Sequence, residues 1–294
     1  MWCCPCAGSL TGGHWGTLRR GTLPFVDGRG WAATGISYVP TALALVAAVV
    51  REARLPILLG VIVVVALLRR RGESRAVAWA AAIPILATFA WGVTVSPVAE
   101  AGPFACESIG SLPAVARFAE AVGGVLLVLA LGRLIGASPG QAGLRWPSRR
   151  LVIASLALVV VLGPLSVLGF RTLAEPFFGA FEVRFAFPAV LAPALLFALA
   201  NGALEEVVYR GAMLGWSARV VGVRTALILQ AVVFGAAHDG PGFVGSALPV
   251  MVAMGAAGIV AGLVVRRTGS LLPVIAAHVA VDVPLYLFIA CRVA

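Results

Sequence analysis

Long apolar runs separated by short polar breaks dominate the chain, at about 31–50, 54–68, 76–96, 118–136, 151–170, 188–209, 221–238, 246–265 and 270–290. Most approach the ~20 residues that an α-helix needs to cross a bilayer core. The pattern therefore predicts an all-α fold, a polytopic transmembrane helical bundle of about eight or nine spans. The second run is short. Pro and Gly punctuate the breaks, as at Ser138-Pro139-Gly140 and Asp239-Gly240-Pro241-Gly242, where a missing N–H or a permissive φ ends a helix. No internal repeat supports an inverted-repeat transporter.

Composition agrees: 61% of the 294 residues are hydrophobic and 12% charged, against roughly 25% charged in a soluble domain. The formal charge of +10 comes from 22 basic residues, all Arg. They cluster between apolar runs rather than along one helix face, which argues for membrane topology and against nucleic acid. Arg69, Arg70, Arg71 and Arg75, then Arg145, Arg149 and Arg150, then Arg219 and Arg224, then Arg266 and Arg267 fall in alternate loops. The intervening loops carry Glu100, Glu107, Glu175, Glu182 and Asp239. Cytoplasmic loops collect Arg, so the N-terminus is expected inside and the C-terminus outside. Arg51 and Arg54 count against that orientation.

Residues 1–30 lack the apolar stretch of a secretory signal and are expected to be a disordered polar tail, or an over-extended gene start. Of five cysteines, Cys3, Cys4 and Cys6 lie in this tail and Cys106 and Cys291 stand alone. The spacing fits neither a zinc knuckle nor a disulfide framework, and no chemistry is assigned to them.

Ionisable residues divide the rest. Segment 31–187 carries almost none inside its runs apart from Glu120 and Arg133, whereas 188–294 holds Glu205, Glu206, Arg210, His238, His278 and Asp282. A charge at bilayer depth costs at least about 2.5–3.5 kcal/mol, so such groups are paired or functional. Glu206 and Arg210 are one turn apart with the acid N-terminal, the favourable order for an ion pair and a structural tie. Glu205 points about 100° away from Glu206 and has no partner nearby in the chain, which makes it a general-base candidate. Phe234 and His238, and likewise His278 and Asp282, are one turn apart and share a face. Phe234 reads as packing; Asp282 could orient or charge-stabilise the His278 imidazole.

The motifs E-E-x-x-x-R (Glu205 to Arg210), F-x-x-x-H (Phe234 to His238) and H-x-x-x-D (His278 to Asp282) resemble those of the CPBP family of intramembrane proteases. That family includes type II CAAX prenyl endopeptidases and bacterial Abi or bacteriocin-immunity proteins. The resemblance covers about 190–290 and implies that Glu205 acts as general base with His238 to activate water. It further implies that His278 and Asp282 stabilise the oxyanion or position the water, with Glu206 and Arg210 supporting the helix. The type II endopeptidases have Asn where this chain has Asp282. Only a protonated Asp could donate to an oxyanion; alternatively Asp282 accepts from the His278 N–H.

These residues predict an intramembrane endopeptidase that uses activated water on a membrane-associated protein or peptide, lipidated substrates included. Membrane lipids and no nucleic acid are its expected partners, and a bacterial plasma membrane its expected location. Zinc through Glu205, His238 and His278 is a second mechanism. The chain has no H-E-x-x-H helix, and the resemblance favours a metal-free glutamate route. The alternatives are a non-enzymatic scaffold or immunity protein and an ion-coupled transporter, since buried Glu, His and Asp also relay protons. One difficulty stands: were the sixth span to end at Arg210, Glu205 and His238 would lie at opposite ends of the bundle. A sixth helix running on to about Arg219, or a sunken seventh, would let them meet.

Overall fold

A computed structural model of the chain describes residues 31–99, 106–239 and 245–293. The expected N-terminal tail, with Cys3, Cys4 and Cys6, and the Gly240-Pro241-Gly242 turn lie outside the described residues. Helices α1 (Trp31–Val49), α2 (Arg54–Arg70), α3 (Ala76–Ala99), α4 (Leu112–Leu134), α5 (Arg149–Phe178), α6 (Leu191–Val221), α7 (Val223–Ala236), α8 (Leu248–Thr268) and α9 (Leu272–Ala290) follow the apolar runs in order. Among the described residues α4, α5, α6, α8 and α9 are long and apolar enough to cross a membrane. The protein is an all-α integral membrane bundle.

Helix α6 is its axis. Helices α4 and α9 pack against α6, α5 packs on α9, α7 on α8 and α2 on α3. Side chains on α6 from Glu206 to Leu214 are all buried, whereas α5 turns Leu156, Val160, Leu165, Leu168 and Leu173 outward. Apolar side chains can face lipid in this way because the helix satisfies its own backbone.

The connections alternate between two ends as the loop charges predict. At one end the turn Pro139–Ala142 packs on α6, Arg219 Nη1 donates to Gln141 Oε1 at 3.5 Å, and Leu271 N–H donates to Gly143 O at 3.2 Å. Gly211 makes the turn's approach possible, because a Cβ there would stand 3.0 Å from the Ala142 carbonyl oxygen. At the other end β1 (Glu182–Val183) pairs antiparallel with β2 (Arg292–Val293), and Tyr286 donates to Cys106 O at 2.7 Å. Arg54, which runs against the charge pattern, has local work: its Nε and Nη2 donate to Ala47 O and Ala48 O, capping the C-terminus of α1.

The unassigned cysteines need correction, because Cys106 and Cys291 form a disulfide across 185 residues of sequence. Spacing could not show this: only the bundle topology brings the approach to α4 and the end of α9 together.

Helix α9 is tied by a proline. Pro284 has no N–H, so the Ala280 carbonyl one turn earlier has no helical donor. The Ser166 hydroxyl of α5 donates to it instead. Helix α6 departs from α-geometry over Glu206–Leu214, a nine-residue π-helical stretch. Such stretches are rare in helices and gather at functional sites.

Candidate active site

Helix lengths remove the difficulty of depth. From the turn at Gly222, Glu205 lies 17 residues back along α6 and His238 lies 16 residues forward, past the end of α7. At 1.5 Å per residue both sit about 25 Å from that turn. They share a level because α6 runs on to Val221 and α7 is only 14 residues long.

His278 of α9 reaches the same level through Gly202, where a Cβ would lie 2.8 Å from the His278 Cβ. Any larger residue at 202 would push α9 from α6. His278 Nδ1 stands 2.8 Å from Glu206 Oε1, and Nε2 stands 3.5 Å from Glu205 Oε2. The first is a hydrogen bond to a carboxylate oxygen, which can only accept, so Nδ1 carries a proton. The second is too long for a direct bond and suits a bridging water or a substrate oxygen.

The two glutamates part by exposure. Glu206 is 1% exposed in its side chain, Glu205 20% and His278 17%. Glu205 and His278 can therefore meet water and substrate, and Glu206 cannot. Glu206 Oε1 also lies 3.0 Å from Arg210 Nη1. That nitrogen makes no hydrogen bond, nor does Nε, so the pair is an ionic contact off the N–H direction. The Arg210 guanidinium lies over the Phe234 ring, 4.0 Å from its centroid, within cation–π range.

Phe234 is a partition between the imidazoles, its centroid 4.8 Å from that of His238 and 6.3 Å from that of His278. Tyr209 meets it edge-on at 5.0 Å. His238 Nδ1 lies 2.7 Å from Phe234 O, one turn back; it donates to that carbonyl and leaves Nε2 for other work. Glu205 is within electrostatic reach of His238, His278, Arg117 and Arg210.

Asp282 is placed differently from the expectation that it orients His278. It is buried and accepts from Asn201 Nδ2 at 2.9 Å, while Glu206 holds the imidazole. Sequence reasoning passed over Asn201, whose signal is an amide one turn before Glu205 in an apolar helix. It also passed over Arg117, paired with Glu120 at 2.7 Å on α4.

His278 bonds Glu206 through Nδ1 and keeps Nε2 for a ligand, 3.5 Å from Glu205; among the described residues no three of His, Cys, Asp or Glu are grouped closely enough to hold a metal as they stand.

Residues 187–284 match the family model described as type II CAAX prenyl endopeptidase Rce1-like. No curated protein and no solved structure matches the chain. The match spans the segment that supplies Asn201, Glu205, Glu206, His238, His278 and Asp282.

Proposed function

From the Rce1-like, CAAX-protease family character of residues 187–284, we propose that this protein is an intramembrane endopeptidase in which Glu205 activates the attacking water. The observation that carries the reading is a partly exposed carboxylate, Glu205, 3.5 Å from a partly exposed imidazole that a buried second carboxylate holds in place. Glu205, with His238 beside it, takes a proton as water oxygen bonds to the scissile carbonyl carbon. Held by Glu206 and carrying a proton on Nε2, His278 donates to the oxygen that becomes negative. In an apolar bundle this donor acts far more strongly than in water. When the C–N bond breaks, Glu205 returns its proton to the leaving nitrogen, and a carboxylic acid and an amine depart, the acid giving up its proton to solvent water. Asp282, fixed by Asn201, supports α9 beside the reacting centre.

The substrate is a membrane-associated protein or peptide, reached from within a bacterial plasma membrane. Prenyl-CAAX processing is the family's chemistry and becomes a candidate specificity here. The test is cleavage of a membrane-peptide library, prenylated peptides included, by purified protein, its Glu205→Gln variant and a chelator-treated sample. Cleavage lost in the variant and kept with chelator is the expected result. Equal cleavage by Glu205→Gln would overturn the assignment of the base, and loss in chelator would return zinc to the site.

A further inference from the structure

A cavity of about 230 Å³ opens at the arginine-rich end of the bundle and shares Arg210 with the site around Glu206. Arg145, Arg210 and Arg266 line it together with Gln141, Gly140 and Gly269, and no acidic residue lines it. Arg145 lies along its rim, close over Gly140 and Gly269. Among the described residues neither Arg145 nor Arg266 has an ion-pair partner.

Arg210 backs the recess from within the bundle. Its residue is 2% exposed, and its Nε and Nη1 have no hydrogen-bond acceptor. Its guanidinium faces Glu206 and the Phe234 ring, and its Nε and Nη1 are sealed from solvent, so these donors do not reach into the recess. Arg145 and Arg266, two exposed guanidiniums without ion-pair partners among the described residues, flank a polar recess that no acidic residue lines and match an acceptor-rich anion with several oxygens.

We propose that this cavity binds a phosphate-bearing anion, either the headgroup of an anionic phospholipid or free phosphate. Basic recesses between helices at the arginine-rich membrane face suit lipid headgroups. The volume accommodates a phosphate with part of its ester substituent. A bound anion would sit two side chains from His278, through Arg210 and Glu206. The assignment does not depend on the peptidase reading, because it is tested by binding.

The full chain is reconstituted in phosphatidylcholine nanodiscs and its thermal midpoint followed by tryptophan fluorescence. One arm titrates inorganic phosphate at constant ionic strength; the other replaces part of the phosphatidylcholine with phosphatidylglycerol. The same arms are run on Arg145→Gln and Arg266→Gln, exposed sites whose loss leaves the unliganded midpoint near that of the unaltered protein. A rise in the phosphate arm assigns free phosphate, and a rise confined to phosphatidylglycerol assigns the lipid. In either case each substitution weakens apparent binding by about fivefold, the equivalent of roughly 1 kcal/mol per basic residue near a membrane surface. No shift in either arm, or the same shift in both variants as in the unaltered protein, overturns the proposal.

Discussion

Replacing Glu206 by Gln separates the two duties of the buried carboxylate, to Arg210 at 3.0 Å and to His278 at 2.8 Å. Gln has nearly the same shape, and its oxygen can still accept from His278 Nδ1–H. The charge-assisted bond becomes a neutral one, a loss of about 1 kcal/mol. Arg210, 1% exposed in its side chain, is left as an uncompensated buried charge, which costs about 3–5 kcal/mol. The single variant should therefore lose about 4–6 kcal/mol and melt on the order of 10 °C lower. Adding Arg210→Met removes the stranded charge along with its contact to Phe234, which is worth about 1–2 kcal/mol. The double variant should recover at least about 2 kcal/mol relative to the sum of the single losses. Thermal unfolding of all four proteins in one lipid closes the cycle. Strictly additive losses would falsify the idea that these groups share one buried charge balance. Cleavage should remain low in both variants that lack Glu206, because the imidazole has lost its anionic anchor.

Gly202→Ala would force a Cβ to within 2.8 Å of the His278 Cβ, displacing α9 by up to about 1 Å and lowering cleavage by about 100-fold; undiminished cleavage by correctly inserted protein would show that the contact does not position His278. Asp282→Asn retains an acceptor for Asn201 Nδ2, now at 2.9 Å, and brings in the residue typical of type II endopeptidases, so cleavage should stay within about tenfold. Complete inactivation of that variant would make the carboxylate itself essential. Asn201→Leu, which leaves buried Asp282 without its donor, should cost about 1–3 kcal/mol of stability, read as a lower thermal midpoint.

The bundle was legible because lipid imposes a simple rule on composition: long apolar runs become helices, and the nine runs became α1 to α9. Glu205, Glu206, His238, His278 and Asp282 stood out because charge is rare in such runs. The end of α6 was less legible, since Glu206, Arg210 and Arg219 lower the hydropathy where the helix in fact continues to Val221. Protein, rather than lipid, surrounds that stretch, and hydropathy cannot distinguish the two environments. Partner choice across helices was hidden for a related reason. One-turn spacing put Asp282 on the face of His278, yet α6 supplies both the Glu206 that takes the imidazole and the Asn201 that takes Asp282. The Arg210 cavity draws on the 139–145 turn, α6 and the end of α8, segments far apart in the chain.

The Cys106–Cys291 bond spans 185 residues, so it encloses α4 to α9. It can close only after the last of these helices has been threaded through the bilayer and has met the approach to the first. During biogenesis its two thiols would thus remain separate until insertion is complete, and their pairing would act as a chemical timestamp of that event. It would also make the enclosed region a covalent ring, in which one nick by another protease leaves the pieces joined until a reductant reaches them.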